Sequence, residues 1–285
     1  MLDHKIDFVV YFTVENANPN GDPLSGNMPR QDNNLFGIVS DVCIKRKLRN
    51  RMQDMGQEIF VKANDRIDDS FKSLEKRFES DFPSKDKIAD DEVYQQMCTK
   101  YLDVRSFGQV VTFQKRSIGI RGPVSITMGK SLEPVSITSM QITRSTNGME
   151  ADVGKARSSD TMGMKHFVDY GLYRFSGSIN AYYSEKTQFS EEDAQIIKTA
   201  LESLFVNDAS SARPDGSIEI KKVYWIEHPN KIGVLSSSKV AALFDCKLKE
   251  GAEDRRFEDY VFIESSDEVS ELTQLGAKVI ISEGQ

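Results

Sequence analysis

The clearest pattern in the chain is an alternation of apolar and polar residues in the segment KIDFVVYFTVE, residues 5–15. Every second position is apolar, namely Ile6, Phe8, Val10, Phe12 and Val14. Side chains two residues apart lie on the same face of a β-strand. The spacing therefore predicts a strand within a sheet.

A helical period begins near residue 40. Apolar residues then recur three or four positions apart, at Ile44, Leu48, Met52 and Met55. This is the spacing of one face of an α-helix. Ser40 can cap the first turn, where Asp41 also interacts favourably with the helix dipole. We predict a helix over residues 38–55.

Between these two elements lies the segment NPNGDPLSGNMPRQDNN, residues 18–34. Connections in compact domains usually take about 4–6 residues, so a longer loop is typically functional or disordered. Arg30 leads from this loop toward the basic start of the helix. Asp22 and Asp32 could bind a metal or act as a general base, although no recognisable two-metal spacing accompanies them.

Helix-prone and strand-like segments alternate along the rest of the chain. Residues 57–100 are polar and helix-prone, which predicts a peripheral insertion. Residues 105–142 are rich in Val, Ile, Phe and Thr and are interrupted by Gly and Pro, as strands and their turns are. Strand patterns return at residues 169–183 and 218–228, on either side of a helix that Ser190 can cap.

Without the insertions, the order of elements is strand, helix, strand, strand, helix, strand. This order predicts an α+β fold with a ferredoxin-like core, which RNA-recognition (RRM) modules also use. The aromatic signature with which those modules stack bases is absent. The order of elements alone decides no function.

The composition fits a folded domain. With 285 residues, 39% hydrophobic and 28% charged, the chain can bury a sizeable core. No apolar run approaches the ~18 residues of a membrane span and no signal-peptide pattern is present, so we expect a cytoplasmic protein. The spacing of Cys43, Cys98 and Cys246 predicts neither a disulfide framework nor a zinc site, and we expect no cofactor.

The net charge of −7 is unevenly distributed. Residues 101–165 contain nine Lys or Arg against five Asp or Glu, whereas residues 245–285 contain five against eleven. An acidic chain can therefore still present a basic surface to an anionic partner. For the acidic tail we predict a short strand, a helix and a strand.

The predicted helix contains five cations within seven positions, in KRKLRNR. Lys45, Arg46 and Arg49 fall in one sector beside the apolar face. Lys45 and Arg49 are like charges one turn apart, which costs about 0.2–0.5 kcal/mol unless an anion such as phosphate lies over them. The alternative is a solvated face whose charges pair with Asp41, Asp54 and their neighbours.

The polar segment 144–166 combines glycines, cations and methionines. Its charged and apolar candidates are Arg144, Lys155, Arg157, Met162, Met164 and Lys165. A projecting hairpin of this composition can insert apolar side chains between stacked bases while its cations bind the flanking phosphates. The alternative is a mobile surface loop.

Two further cations lie beside glycine or proline. Arg121 precedes Gly122, whose missing side chain lets another backbone approach. Arg213 is followed by Pro214 and, two residues later, by Gly216. Both are candidate RNA contacts, and their alternatives are a bulge in a strand and an ordinary turn.

Six segments of the chain together match a known family: NPNGDPLSGNMPRQD, SDVCIKRKLRNRMQDMG, SIGIRGPVSI, LEPVSITSMQITRSTNG, SSDTMGMKHFVDYGLY and NDASSARPDG. They resemble the Cas-seven (Csd-two type) CRISPR RNA-binding backbone subunit of the type I-C Cascade complex. The resemblance extends from residue 5 to about residue 228.

The resemblance implies a non-catalytic RNA-binding protein shaped like a right hand. The implied parts are a ferredoxin-like palm (1–56, 101–143 and 167–244), inserted helical fingers (57–100), a projecting thumb hairpin (144–166) and an acidic C-terminal extension (245–285). Several copies stack along one CRISPR RNA, and a target DNA strand pairs with the exposed guide. The implied partners are further copies, a Cas-five subunit, a large PAM-reading subunit of the Cas-eight type, a small subunit and a recruited helicase-nuclease.

A subunit that accepts any guide sequence should bind the RNA backbone through cations and apolar wedges. The residues expected to do so are Arg30, Lys45, Arg46, Arg49, Arg121, Arg213 and the candidates within 144–166. Two other functions stay open. Backbone subunits of type III complexes resemble this fold and cut RNA with a loop aspartate, so Asp22 or Asp32 could serve a metal-dependent ribonuclease. A ferredoxin-like metabolic domain would need a small-molecule site, for which no motif is present.

Overall fold

The computed structural model of the chain describes residues 1–83, 88–143, 162–252, 256–264 and 266–285. The helices are α1 (Asp41–Asp54), α2 (Leu74–Asp81), α3 (Asp90–Lys100), α4 (Leu102–Phe107), α5 (Ala181–Thr187), α6 (Glu191–Glu202), α7 (Ser237–Leu243) and α8 (Asp267–Gln274). The strands are β1 (Ile6–Ala17), β2 (Gly21–Asp22), β3 (Met28–Pro29), β4 (Phe36–Val39), β5 (Gln109–Val111), β6 (Ile118–Ile120), β7 (Val124–Ile126), β8 (Gly129–Pro134), β9 (Ile137–Thr143), β10 (Met162–Ile179), β11 (Ile218–Glu227), β12 (Cys246–Leu248), β13 (Tyr260–Phe262) and β14 (Lys278–Glu283).

A central antiparallel sheet organises the fold. Its strands follow the order β14-β11-β1-β10-β8-β4, and β7 and β9 also pair with β10. The predicted first strand is confirmed, and its neighbours are strands from distant parts of the sequence. Phe8, for example, pairs with Gly177 of β10 on one side and with Trp225 of β11 on the other.

One face of the sheet packs against α1 and α6. Phe8, Val10 and Phe12 on this face form a buried cluster with the apolar side of both helices. The rings of Phe8 and Trp225 stack with their centroids 5.8 Å apart, and those of Phe12 and Tyr173 stack at 5.2 Å. The two helices on this face thus cover the apolar positions that the alternation marked.

The opposite face of β1 is buried as well. Val9 and Tyr11 lie in a second cluster with Tyr224, covered by α7 and by residues of the C-terminal region. The Tyr11 hydroxyl donates a hydrogen bond of 2.8 Å to the carbonyl oxygen of Phe244. The cover over this face comes from residues more than 200 positions after β1, so the alternation around β1 could not indicate it.

Both predicted helix caps are confirmed. The Ser40 hydroxyl accepts a hydrogen bond from the backbone N–H of Cys43 at 3.3 Å, and α1 begins at Asp41, because the two residues before Ser40 belong to β4. At α6, Ser190 Oγ accepts from the N–H of Asp193, and the Asp193 carboxylate accepts from the N–H of Ser190. This reciprocal pair satisfies two backbone donors that the helix leaves free.

The insertion after α1 has a core of its own. Its buried aromatic and aliphatic residues form a third cluster that runs from Phe60 to Ile120 and includes Phe78 and Met97. Residues 101–120 therefore pack largely with the insertion, and the predicted boundary at residue 100 falls inside this cluster.

The C-terminal residues contain the short strands and the helix that the sequence predicts. Strands β12 and β13 pair with each other, α8 follows, and β14 pairs with β11 along the edge of the central sheet. The last strand is therefore an integral part of that sheet. None of the helices in the described ranges is long and apolar enough to cross a bilayer.

Candidate nucleic-acid interface

The long connection between β1 and α1 is folded by its own hydrogen bonds. Asn20 Oδ1 accepts from both the backbone N–H and the hydroxyl of Ser40, at 2.9 and 3.0 Å. Asn18 Nδ2 donates to the carbonyl oxygen of Asn27 at 2.7 Å. A Cβ at Gly21 would lie 2.0 Å from Asn27 Oδ1, so a larger residue there would displace the Asn27 side chain from the turn between β2 and β3. The connection is a built element of the fold.

Both aspartates of this connection have structural partners. Asp22 accepts from the N–H of Leu24 and the hydroxyl of Ser25, and it lies 3.3 Å from the Arg30 guanidinium. Asp32 accepts from the backbone N–H groups of Asn34 and Phe36, at 2.9 and 3.0 Å, and pairs with Lys130 at 2.6 Å. The hydrogen bond from Lys130 is the main reason that the pKa of Asp32 is lowered.

Several candidate segments converge where β1 ends. The N–H of Asn18 donates to the carbonyl of Ala212 at 2.9 Å, so the loop that contains Arg213 lies beside the loop that contains Arg30. Ala17 pairs with Val168 of β10, where the β9–β10 hairpin begins, and Gln31 Nε2 donates to the carbonyl of Val135 at 2.8 Å. Helix α1 also begins at this end of the sheet, which we call the hairpin end.

At the hairpin end, Arg213 and Lys47 share one carboxylate. Asp208 forms an ion pair with the buried Lys47 ammonium and a second one, at 3.1 Å, with the Arg213 guanidinium. Burial lowers the pKa of Lys47, while Asp208 acts in the opposite direction. Burial raises the pKa of the nearby Cys43 thiol, and Lys47, Arg213 and Arg30 oppose that effect because all three cations lie close to it. Arg30 and Arg213 therefore both lie on the side of the molecule where Cys43 is.

The three cations predicted to bind phosphate along α1 have different partners. Lys45 pairs with Asp41 at 3.1 Å, one turn earlier on the same helix. Arg46 donates to the carbonyl oxygen of Val61 at 2.6 Å, and burial and then Arg49 lower its pKa. The repulsion between Lys45 and Arg49 is thus relieved within the chain, and no external anion is needed to explain their spacing.

Of these three cations, Arg49 is paired with a fully buried carboxylate. Its Nε donates to the fully buried Asp103 carboxylate at 2.9 Å, and its guanidinium lies 4.9 Å from the centroid of the Phe107 ring. The same carboxylate accepts from the backbone N–H groups of Phe60 and Val61, at 2.8 and 3.1 Å. Arg49 thereby joins α1 to the insertion, which is a structural role.

The β9–β10 hairpin exposes apolar side chains on both of its faces. Met140 and Ile142 are 51% and 50% exposed, and Met162 and Met164 are 64% and 56% exposed. Met140 pairs with Lys165, and Thr143 with Met162. Residues directly opposite each other lie on the same face and residues two apart do too, so Met140 and Ile142 share one face and Met162 and Met164 the other. The other candidates Arg144, Lys155 and Arg157 lie outside the described residues.

Arg121 lies at the other end of the sheet. It precedes β7, which pairs with the last residues of β10, and its guanidinium lies 4.2 Å from the centroid of the Tyr183 ring. A Cβ at Gly122 would lie 2.2 Å from the carbonyl oxygen of Ser106. The prediction that glycine beside Arg121 permits the close approach of another backbone is confirmed.

The structure thus brings Arg30, Lys45, Arg213, Met162 and Lys165 toward the hairpin end, places Arg46 and Arg49 against the insertion, and separates Arg121 from both. Sequence reasoning missed Met140, Ile142, Asp208 and Tyr183. Met140 and Ile142 could have been found, because they are two residues apart in a strand pattern that leads into the polar segment.

Comparison with known proteins decides the family. A family model described as CRISPR-associated protein Cas7 matches residues 4–265. The chain belongs to the Cas7 family. The CRISPR-associated protein Cas7 of Haloferax volcanii is 25% identical over 214 aligned residues, and the alignment covers 69% of this Cas7 chain and 62% of that relative. This chain therefore matches less than two thirds of the relative's length.

Two solved structures also resemble this Cas7 chain. One is a chain of a CRISPR RNA-guided surveillance complex in a pre-nicking state, with a TM-score of 0.49, 12% identity and coverage of 84% of both chains. The other belongs to a CRISPR RNA-guided surveillance complex, with a TM-score of 0.46, 14% identity and coverage of 97% of this chain and 87% of that one.

Proposed function

We propose that this Cas7-family chain is a non-catalytic, guide-RNA-binding backbone subunit of a type I-C Cascade complex. Copies assemble head to tail along one CRISPR RNA and present it for pairing with a target DNA strand. The subunits of the Cas-five, Cas-eight and small types and the helicase-nuclease are the further partners that this role requires. Membership of the Cas7 family and the six sequence segments named above support the type I-C assignment.

The main observation in favour of the proposal is that the β9–β10 hairpin exposes apolar side chains on both of its faces. A hairpin with one apolar face would pack that face on the core, whereas this one exposes Met140 and Ile142 on one side and Met162 and Met164 on the other. A ribbon of this kind can be inserted between stacked bases, each face contacting one base. The first residues of β10 in this hairpin, 162–166, belong to the proposed thumb at residues 144–166.

The partners of the cations indicate which of them can bind phosphate at least cost. Arg30, Lys45, Arg49 and Arg213 would each have to share or leave a carboxylate. Among the described residues, the side chain of Lys165 has neither an ion pair nor a hydrogen bond. We therefore assign the first phosphate contact to Lys165 and further contacts to Arg30 and Arg213.

The strand order supports the assignment of the sheet as a ferredoxin-like palm. Four of its strands lie in the order β11-β1-β10-β8, and two helices that lie between them in sequence, α1 and α6, pack on one face. This arrangement leaves the insertion that starts at residue 57, together with the residues of 101–120 that pack on it, beside the palm as the fingers. Residues 245–285 form the extension that covers the other face.

The ribonuclease alternative has less support. Asp22 and Asp32 each accept hydrogen bonds from the loop that they shape, and each is paired with a cation. Within the described ranges, no group of three or more His, Cys, Asp or Glu side chains is arranged to hold a metal ion. We expect Asp32→Asn to leave any RNA cleavage by purified protein in Mg²⁺ unchanged.

RNA binding by the purified full-length chain tests the proposal. We expect single-stranded RNAs of unrelated sequence to bind with similar affinity and with a strong dependence on salt, because cations contact the phosphates. Met162→Ser with Met164→Ser should weaken binding to all of them, whereas Leu275→Ser, at an exposed apolar residue that follows α8, is the matched control. Equal binding by the native and hairpin variants, or binding to one sequence only, would contradict the proposal.

A further inference from the structure

A second surface of the molecule has the chemistry of a nucleotide site. A cleft of about 790 Å³ lies between α3, β6 and α5, and its walls include Gly119, Arg121 and Tyr183. The hairpin starts at the first residues of β10, whereas this cleft lies beside the last ones. About eleven residues of β10 separate Val168 from Ile179, which is roughly 35 Å along a strand. The cleft is therefore a site separate from the hairpin.

Arg121 is the central residue of the cleft. In the part of the chain that the structure describes, its side chain makes no hydrogen bond or ion pair. The guanidinium makes a cation–π contact with the Tyr183 ring, 4.2 Å from its centroid. Its position is nevertheless fixed. A Cβ at Gly108 would lie 2.3 Å from the carbonyl oxygen of Ile120, so the backbones on both sides of Arg121 are held against the 106–108 turn.

The Arg121–Tyr183 pair is a stacking platform. A guanidinium and an aromatic ring are both planar, and unstacked nucleobases bind to both types of plane. The Lys186 ammonium lies 5.7 Å from the centroid of the same ring and supplies a cation for a phosphate next to the base. Gly119 contributes no side chain to the wall, and an added Cβ there would meet open space, so the cleft is open at Gly119.

The acidic residues of the cleft narrow the ligand class. Asp91 and Glu185 also line it, and Glu185 is paired with Lys231. A continuous run of phosphates would be repelled by Asp91, whereas the edge of a base offers it an amino or imino donor. Gln95, which already accepts from Gln188 at 2.7 Å through its amide oxygen, retains its amide N–H groups for an acceptor on that edge.

We propose that this cleft binds one unstacked base of the RNA, stacked on Arg121 over Tyr183, with the adjoining phosphate on Lys186. The inference rests on the proposed function in one respect, since it takes the bound polymer to be RNA. The cleft would hold a base that has left the stack. The hairpin, in contrast, would separate stacked bases, and its cations would contact the RNA backbone.

Photo-crosslinking of the full chain to RNA that carries 4-thiouridine tests this inference. We expect crosslinked peptides from residues 181–187 or 90–100 in addition to any from the hairpin. Arg121→Ala should lower the yield in the cleft and weaken binding by about 5- to 100-fold, the range that base stacking on such a platform supplies. Arg121→Lys keeps the charge and loses the plane, so it should behave like Arg121→Ala. Tyr183→Phe keeps the ring and should behave like the native chain.

Lys76→Ala is the charge-matched control, because Lys76 is an exposed cation of the insertion whose ion pair, among the described residues, is with Glu79. RNA that binds normally but gives no crosslink in the cleft overturns this inference and leaves the proposed function intact. A protein that binds no RNA overturns both. Native behaviour of Arg121→Lys would mean a phosphate contact and overturn stacking. If Arg121→Ala formed smaller assemblies but kept its RNA crosslinks, Arg121 would contact a neighbouring copy of the protein. That result would also overturn the inference of a base site.

Discussion

Replacement of Asp103 by alanine is the perturbation whose effect on stability follows most directly from the structure. The carboxylate is fully buried and accepts three hydrogen bonds, from Arg49 Nε at 2.9 Å and from the N–H groups of Phe60 and Val61 at 2.8 and 3.1 Å. It therefore joins α4, α1 and the segment that enters the insertion. Asp103→Ala removes all three acceptors at once.

The loss of unfolding free energy depends on the groups that Asp103→Ala leaves without a partner, namely the Arg49 guanidinium and two backbone N–H groups. Removing one partner of a buried ion pair costs about 3–5 kcal/mol, because the other charge stays out of water. Each buried N–H without an acceptor costs about 1–3 kcal/mol more. Water can enter the space left by the carboxyl group, so we expect a combined loss of about 4–6 kcal/mol, against a total of about 5–15 kcal/mol for a typical domain. Asp103→Asn keeps an acceptor and should lose about half as much.

Urea unfolding of the chain without RNA measures this loss as a lower midpoint. Lys45→Ala is the control, since the half-buried pair with Asp41, one turn away on the same helix, is worth at most about 0.5 kcal/mol. Arg49→Ala should destabilise far more than Lys45→Ala, because it leaves the Asp103 carboxylate without a cation. Equal effects of these two substitutions, or a loss below about 1 kcal/mol for Asp103→Ala, would refute the structural role of Arg49.

Three further predictions concern other buried charges and the loop aspartate. Asp208→Ala should destabilise by about 3 kcal/mol or more, because the buried Lys47 loses its carboxylate, and it should make the 207–216 loop sensitive to proteases; Lys76→Ala should do neither. Burial raises the pKa of Asp7, but hydrogen bonds from His228 and Lys5, both at 2.8 Å, outweigh it and hold that pKa below its ordinary value of 3.8. The stability from this carboxylate is present above pH ~4 and lost as the pH falls below that, so Asp7→Asn should flatten the loss of stability on acidification, measured by urea unfolding from pH 7 to 3; an unchanged slope would contradict this. Asp32→Asn should shift the 28–36 segment and weaken its protection from hydrogen exchange without creating or abolishing RNA cleavage, and a loss of cleavage would favour the ribonuclease alternative.

The local elements of the fold could be predicted because their signals lie within a few residues. The alternation around Phe8 and Phe12 defines β1, and Ser40 and Ser190 mark the starts of α1 and α6 through hydrogen bonds to residues three positions ahead. The ion pairs of the α1 cations could not be predicted in this way. Arg49 pairs with a carboxylate 54 residues away and Lys47 with one 161 residues away, so five cations that look like one basic surface in sequence are divided among separate partners.

The sequence indicated only those parts of the candidate site whose signals are local. Composition alone identified the segment with Met162 and Lys165, because cations, glycines and methionines are unusual together in a polar stretch. The hairpin's second exposed face depends on the pairing of Met140 with Lys165, which becomes visible only when the register of β9 and β10 is known. The stacking of Arg121 on Tyr183 likewise depends on the pairing of β7 with the end of β10.

The length of the RNA that co-purifies with the full chain, expressed together with a CRISPR repeat-spacer transcript, tests the central claim most directly. A backbone subunit should retain RNA of uniform length with a repeat-derived end, and nuclease treatment should leave a periodic pattern of protected positions. That pattern should disappear in Met162→Ser with Met164→Ser. Well-expressed, folded protein that carries no RNA, or RNA of random length and sequence without periodic protection, would contradict the account.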